Sequence, residues 1–389
     1  MRTWQPYLIK DEASDVNTYE IGGYQNTFSV ATTSTHVVAP FRTSLNSVVS
    51  LTKPALVAIR NLTTTEGSIY LSSDGSHWAQ AVGSVAFNAD VGGTHTFDIL
   101  GDDFNDRDNV FVVSNCDRSI WRFMGGLVIG NIEEIADVAP ASHGFSCIGC
   151  DNTGILLAGV SQTASTASRI FYSSNGGAAW TVATTPAGWN AIPIHAFCAT
   201  NPTLASLIVG DVVLATGAID GEILRSTDQG ETWTAVTLPA ALASRGGNWD
   251  AYQLAWNPVY QLFMCVNQDL DCAVSEDGLT WSMRPGSGGL TSIINPALSD
   301  RGRLLSAVGP AFVLGANVVG GEGYNRHGVF YSFDAGFTWN FVDFGAVEAD
   351  NVQQILGVVE WGGALAAYAP GKLWTSSSFW VPPVDLDFS

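Results

Sequence analysis

Three features of the sequence predict an all-β chain folded as a single seven-bladed β-propeller. A short box ending in tryptophan occurs five times: LSSDGSHW (71–78), YSSNGGAAW (172–180), RSTDQGETW (225–233), VSEDGLTW (274–281) and YSFDAGFTW (331–339). Each box is embedded in the same succession of short apolar runs and glycine-rich turns. Helical pattern is almost absent, NIEEIAD (131–137) being the one candidate for a helical turn. Short strands divided by turns at a period near fifty residues are the signature of blades with four strands each.

The period fixes the number of units. Aligned on Asp74, Asn175, Asp228, Asp277 and Asp334, the last four positions are 53, 49 and 57 residues apart, and the first gap is 101. That first gap is twice the period, so a degenerate unit is expected near residue 125. There VFVVSNCDRSIWRFMGGLVIGNI (110–132) keeps strand, strand, a Gly125-Gly126 turn and strand, without the box. A further unit is due after Asp334, and GKLWTSSSFWVPP (371–383) fills it with a serine run and Trp380. Within a unit, an apolar run such as SLIVGDVVLATG (206–217) comes first. A short alternating strand follows, EILRS (222–226) or GVFYS (328–332), then the box, then TWTAV (232–236) or TWNFV (338–342). The units occupy 46–383. Residues 1–45 fall outside the blades, as an extension that pairs with a sheet edge or docks on another chain. Residues 384–389 are a short tail after an extended, proline-containing stretch.

The box belongs on the hairpin between the third and fourth strands, and turn chemistry accounts for each residue in it. Serine, aspartate and asparagine side chains accept hydrogen bonds from backbone N–H groups of the turn. Glycine supplies a positive φ. Trp78, Trp180, Trp233, Trp281 and Trp339 then fold over the hairpin and bury a large apolar face. An active site needs one constellation, whereas these acids recur five times, so Asp74, Asn175, Asp228, Asp277 and Asp334 read as structural.

On these residues the chain resembles the Asp-box (BNR) repeat propellers, whose motif is Ser-x-Asp-x-Gly-x-x-Trp, with a form one residue shorter. Ser226, Asp228, Gly230 and Trp233 match the full motif, as do Ser332, Asp334, Gly336 and Trp339. Ser72, Asp74, Gly75 and Trp78 match the short form, as do Ser275, Asp277, Gly278 and Trp281. The resemblance implies the propeller with Asp-box hairpins. It does not select a function, since sialidases, xyloglucanases, sorting receptors, photosystem assembly factors and phage virion proteins share it. Sialidase-type catalysis would imply an arginine triad, a tyrosine–glutamate pair and an acidic proton donor. Arg42 in APFRTS lies near the place of the first arginine, but Thr43 and Ser44 replace the Ile-Pro that follows it in that family. Arg225 lies beside a box. The xyloglucanases resemble two facing propellers, and this chain has room for one. The photosystem assembly factors carry a basic patch and a signal sequence, and neither is evident here.

Composition narrows the partners. The formal charge is −20, from 36 acidic and 16 basic residues, and the only lysines are Lys10, Lys53 and Lys372. A nucleic-acid binder needs a basic footprint, so no nucleic acid is expected, and an anionic membrane would be repelled. No apolar h-region follows Met1, and the longest charge-poor run, LLSAVGPAFVLGANVV (304–319), reads as strand rather than membrane span. The six cysteines, Cys116, Cys147, Cys150, Cys198, Cys265 and Cys272, read as buried thiols. The one CxxC, Cys147 and Cys150, lacks a second ligand pair, so no metal site and no cofactor are expected.

Binding residues are sought in three loop stretches. PAGWNAIP (186–193) offers Trp189 and Asn190, RGGNWDAY (245–252) offers Trp249 and Asp250, and GANVVGGEGYNRHG (315–328) offers Tyr324, Asn325, Arg326 and His327. A tryptophan face beside an amide or carboxylate suits a sugar. The competing reading packs both tryptophans between blades. GDDFNDRDNV (101–110) gathers Asp102, Asp103, Asp106 and Asp108 as a weak calcium candidate, though their spacing is not that of an EF-hand loop. The expectation is a non-enzymatic structural or binding propeller, foremost a bacteriophage virion protein of the tail or host-adsorption apparatus. Its partners would be other virion or assembly proteins, or a cell-surface glycan. A carbohydrate-active enzyme or lectin-like module of sialidase type, and a cellular assembly scaffold, are the alternatives, with the cytoplasm as the alternative location to the virion.

Overall fold

The computed structural model describes residues 6–8, 18–21, 26–29, 45–51, 55–61, 66–72, 79–90, 97–102, 109–124, 131–135, 138–139, 143–151, 153–161, 170–190, 192–200, 211–242, 252–267, 271–284, 295–296, 305–319, 325–346, 357–361, 364–369 and 372–376. These form strands joined by turns, with a single 3₁₀ turn at Ala187–Trp189. No helix among the described residues is long and apolar enough to cross a membrane.

Strand β1 (Pro6–Leu8) is followed by a hairpin of β2 (Thr18–Ile21) and β3 (Asn26–Ser29). The antiparallel sheets then succeed one another along the chain. The first holds β4 (Leu45–Leu51), β5 (Ala55–Asn61), β6 (Glu66–Ser72) and β7 (Ala79–Ala86). The second holds β8 (Phe97–Asp102), β9 (Asn109–Ser114), β10 (Ile120–Met124) and β11 (Asn131–Ile135). The third holds β12 (Phe145–Cys150), β13 (Leu156–Val160), β14 (Ile170–Ser173) and β15 (Thr181–Val182). The fourth holds β16 (Ile194–Ala199), β17 (Val213–Gly217), β18 (Glu222–Ser226) and β19 (Thr234–Thr237). The fifth holds β20 (Gln253–Asn257), β21 (Leu262–Val266), β22 (Cys272–Ser275) and β23 (Ser282–Met283). In the next, β24 (Asn295–Pro296) and β25 (Leu305–Val308) both pair with β26 (Ala311–Val319), followed by β27 (Asn325–Ser332) and β28 (Asn340–Ala346). The last holds β29 (Gly357–Trp361), β30 (Ala364–Ala369) and β31 (Lys372–Ser376), and β1 pairs antiparallel with β31. The extension placed outside the blades by the sequence thus supplies the fourth strand of the last sheet.

The sheets stand side by side. First strand lies against first strand in succession, β4 on β8, β8 on β12, β12 on β16, β16 on β20, β20 on β25 and β25 on β29, and β29 returns to β4. The second strands are sandwiched between neighbouring sheets. This explains why NVFVVS, LLAGV and VLATG are largely apolar and buried at every position. The fourth strands lie outermost, and TAVT alternates, with Val236 buried and its neighbours exposed. Each apolar cluster belongs to an interface between sheets. Ile59 and Ile69 share a cluster with Ile99 and Val112, Phe111 with Leu156, Leu157 with Leu224, Leu214 with Phe263, and Met264 with Phe312.

The unit without a box keeps all four strands, β8 to β11. The segment with a helical pattern, Asn131–Ile135, is strand β11 instead. Pairing with β10 overrides its helix propensity: Arg122 lies opposite Glu133 and forms an ion pair with it.

Candidate functional site

The repeated acids are held inside their own turns. In the fourth sheet, Ser226 Oγ donates to Asp228 Oδ1 at 2.7 Å and accepts Gly230 N–H at 2.9 Å. Asp228 Oδ1 also accepts Thr232 N–H at 2.9 Å, the Thr232 hydroxyl donates to Oδ2, and Trp233 Nε1 donates to Gly230 O at 2.9 Å. The serine–acid–glycine part of this net recurs at Ser173–Asn175–Gly177–Ala179, Ser275–Asp277–Gly278–Thr280 and Ser332–Asp334–Gly336–Thr338, and the tryptophan bond recurs at Trp180, to Gly177 O at 3.1 Å. Gly230 has φ +83° and Gly336 φ +86°, and the residues before them, Gln229 and Ala335, are left-handed as well, at +62° and +54°. Asp74 and Trp78 lie outside the described residues.

Each described box also docks on the sheet before it. A Cβ on Gly230 would stand 2.5 Å from Leu157 Cδ2, one on Gly177 2.5 Å from Phe111 Cε1, and one on Gly336 2.7 Å from Met264 Cε. Arginines of the preceding sheet cap box carbonyls: Arg122 to Gly176 O at 2.8 Å, Arg225 to Asp277 O at 2.9 Å, and Arg284 to Ala335 O at 2.9 Å. Arg225 is thereby accounted for as a latch between sheets.

The box carboxyls have a definite pH signature. Burial pushes Asp228, Asp277 and Asp334 up, but their N–H and hydroxyl donors outweigh it and hold all three below the ordinary carboxylate range. A lowered native pKa stabilises the fold above the unfolded-state value, about 3.9, and the contribution is lost as pH falls through the native value. Denaturation midpoints are therefore expected to fall in acid below that range, and Asp228→Asn is expected to shrink the fall while leaving the neutral-pH fold intact. The box of the third sheet already carries this exchange, with Asn175 accepting Ala179 N–H at 2.9 Å. An acid limb identical in wild type and variant would contradict this assignment.

At the centre of the ring the first strands enclose a cavity of about 340 Å³, lined from five sheets by residues including Cys150, Phe197, Cys198, Gln253, Trp256 and Ser306. None of the described residues lining it is charged. Cys198 is partly exposed to this space, yet its surroundings are apolar enough that burial pushes its thiol up to about 12, against a backbone hydrogen bond from Trp256. It stays a neutral thiol at physiological pH and is not an activated nucleophile. Trp256 is 8% exposed, its ring lies 4.6 Å from that of Phe263 in a tilted pair, and its buried Nε1 has no acceptor among the described residues. Such a wall offers apolar contact and a few neutral polar groups, and it can hold a small uncharged molecule.

The loop residues singled out in the sequence fare differently. Trp189 is 1% exposed, packed among Cys147, Ile194 and Trp233 beside Gly217, so it presents no face to a sugar. Asn190 is half-buried and accepts the Thr185 hydroxyl at 3.0 Å. Asn325, Arg326 and His327 lie not in a loop but in β27, opposite Val319, Val318 and Asn317 of β26, because the valines there extend the ladder. Trp249, Asp250 and Tyr324 lie outside the described residues. Asp102 ends β8, paired with Asn109, while Asp103, Asp106 and Asp108 lie outside the described residues. No group of three potential metal ligands occurs among the described residues. The cavity residues were missed because only the position of the first strand in each repeat marks them.

No family model matches the sequence, and no curated protein does. Solved structures do match in shape. A catalytically inactive virginiamycin B lyase of Staphylococcus aureus with quinupristin superposes with TM-score 0.55 at 10% identity, over 93% of this chain and 98% of that one. YCF48 bound to D1 peptide matches with TM-score 0.55 at 9% identity, over 95% and 97%. The Swd1 β-propeller domain of Myceliophteria thermophila matches with TM-score 0.52 at 10% identity, over 85% and 96%. These neighbours are β-propellers, and at such identities the likeness shows the fold alone. The chain folds as a β-propeller.

Proposed function

We propose that the chain is a seven-bladed propeller of the Asp-box type that binds rather than catalyses, in a bacteriophage virion as part of the tail or host-adsorption apparatus. The ring of first-strand contacts, closed by β29 on β4, supports seven blades, and the recurring serine–aspartate–glycine net supports the Asp-box type. The observation that carries the binding reading is where the repeated acids are used. Asp228, Asp277 and Asp334 are engaged by their own turns, while the described residues lining the axial cavity are uncharged and include a thiol that stays protonated. General acid–base or carboxylate chemistry needs ionisable groups converging on one space. The neighbours include a lyase and a protein bound to a peptide, so the fold itself accommodates either use. The partner we infer is another virion protein or a cell-surface glycan, met through the loops at the blade ends.

The reading is tested by offering the purified chain a fluorogenic sialoside and a glycan array. Binding without turnover is the expected result, with genes for tail, portal or capsid proteins adjacent to its own. Hydrolysis that disappears in Arg42→Ala, or a metabolic operon around the gene, overturns it.

A further inference from the structure

The last sheet is built from both ends of the chain. Strands β29 to β31 come from its C-terminal part, and the fourth is β1, in register Pro6 with Ser376, Tyr7 with Thr375 and Leu8 with Trp374. We propose that this outer edge of β31 is a strand-addition site that takes the N-terminal strand of a second copy of this chain. The inference goes beyond the binding function above and does not depend on the axial cavity or on the identity of any glycan.

Three observations carry it. First, β1 is not what closes the ring. The last sheet reaches its neighbours through β29, which lies against β25, β26 and β4, and through β30, which lies against β4. A sheet edge whose covering strand is not needed for closure is a template for strand addition, through main-chain hydrogen bonds. Second, β1 meets β31 through three residue pairs, whereas β30 and β31 share four and β29 and β30 five. Among the described residues the outer strand has the shortest ladder of the sheet, and its other neighbour is β3. Third, β1 is joined to β4 by a long connection. The chain between Leu8 and Leu45 can extend roughly 120 Å at most; with the β2–β3 hairpin left where it lies, against β28, the segment from Thr18 back to Leu8 still extends roughly 33 Å. That span is enough to reach a neighbouring molecule.

The occupant follows from the register. The strand that fits this edge is PYL of this chain, and a second copy offers the same three residues with the same hydrogen bonds. Within one molecule the tether favours self-closure, with an effective concentration in the millimolar range for short tethers and less for long ones. In an assembly that crowds copies together, exchange competes. Two chains swapping β1 form a closed, two-fold pair. Pro6, at the start of the added strand, lacks an N–H and blunts the new edge, so addition stops at one strand instead of growing into a fibre.

A cross-link tests this in the full chain. Directly opposed residues on antiparallel strands have Cα atoms roughly 4.5–5.5 Å apart, within the range a disulfide spans. The double variant Tyr7→Cys/Thr375→Cys is expected to close an internal disulfide under mild oxidation, with no change in mass on a non-reducing gel. The decisive sample mixes Tyr7→Cys chains with Thr375→Cys chains at rising concentration. A reducible species of twice the chain mass is expected, with positions 7 and 375 joined when the linkage is mapped by mass spectrometry. An internal disulfide in the double variant with no linked pair in the mixture overturns the exchange. Failure of the double variant to cross-link, while the chain remains folded, overturns the edge itself as the seat of β1.

Discussion

Replacing Trp233 by alanine is expected to lower the unfolding free energy by about 3–5 kcal/mol, the range for truncating a buried aromatic without collapse of the site. The side chain is 4% exposed and lies 6.1 Å from the ring of Phe197, within the cluster that joins the third and fourth sheets. Three losses coincide in this variant. Apolar contact with Leu157, Ile170 and Leu224 goes, the Nε1 bond to Gly230 O at 2.9 Å goes, and the box glycine loses the ring that covers it. The backbone N–H of Trp233, which donates to Thr184 O at 2.9 Å, is kept, so the variant probes packing rather than the bridge between these sheets. Trp180→Ala is the internal comparison. Trp180 is half-buried and makes the same bond to Gly177 O at 3.1 Å, so a smaller loss is expected. Guanidinium titration reads both as shifts in midpoint at constant slope. A loss below about 1 kcal/mol for Trp233→Ala would mean that the box ornaments a hairpin and does not pin two sheets together.

The corners of the fold were readable from the sequence because turn chemistry is local. Serine, aspartate, glycine and tryptophan within nine residues name a specific net of hydrogen bonds, and that net is what Ser226, Asp228, Gly230 and Trp233 form. What the box meets was not readable. Leu157 under Gly230 and Arg225 on the carbonyl of Asp277 belong to other sheets, and nothing near either box announces them. The cavity escaped for a related reason. IHAFCA and QLAWN have the apolar sequence of any inner strand, and lining a space rather than packing a wall depends on strands contributed by five sheets. Trp189 shows the ambiguity of a single residue, since PAGWNAIP suits an exposed sugar platform as well as the buried ring that the 3₁₀ turn directs against Gly217. The pairing of Pro6–Leu8 with the far end of the chain is non-local in the extreme, and three residues carry no pattern.

The second sheet raises a question that the boxes leave open, because its sequence has lost the motif that pins the third to sixth sheets. Its opposite end carries a substitute. In the turn between β9 and β10, Asp117 is fully buried and its carboxylate accepts three donors: Ser119 N–H at 2.8 Å, Trp121 Nε1–H at 2.8 Å, and Asn88 N–H at 3.0 Å from the connection out of the first sheet. Ser119 Oγ extends the net to Glu134 of β11 at 2.8 Å, and Arg118 N–H reaches back to Asp90 at 3.2 Å. Burial pushes the Asp117 carboxyl above its ordinary range even against these donors, so its charge is held at a cost. A raised native pKa contributes with the sign opposite to that of the box acids: stability from this group declines as pH rises through its native value. That cost does not make the residue dispensable. Asp117→Ala removes one charge but strands three N–H groups, each worth about 1–3 kcal/mol when left buried and unpaired. Since Asn88 and Trp121 are half-exposed and recover water, a net loss of about 3–4 kcal/mol is expected. Asp117→Asn should fall between wild type and alanine. Its single carbonyl oxygen can serve either Ser119 or the Asn88–Trp121 pair, and its amide then faces the donors it cannot satisfy. Unfolding midpoints at neutral pH in that order would establish Asp117 as the anchor between the first two sheets. Equal stability of asparagine and wild type, or a loss below about 1 kcal/mol for alanine, would show that solvent satisfies these donors and that the second sheet is fixed by its apolar contacts alone.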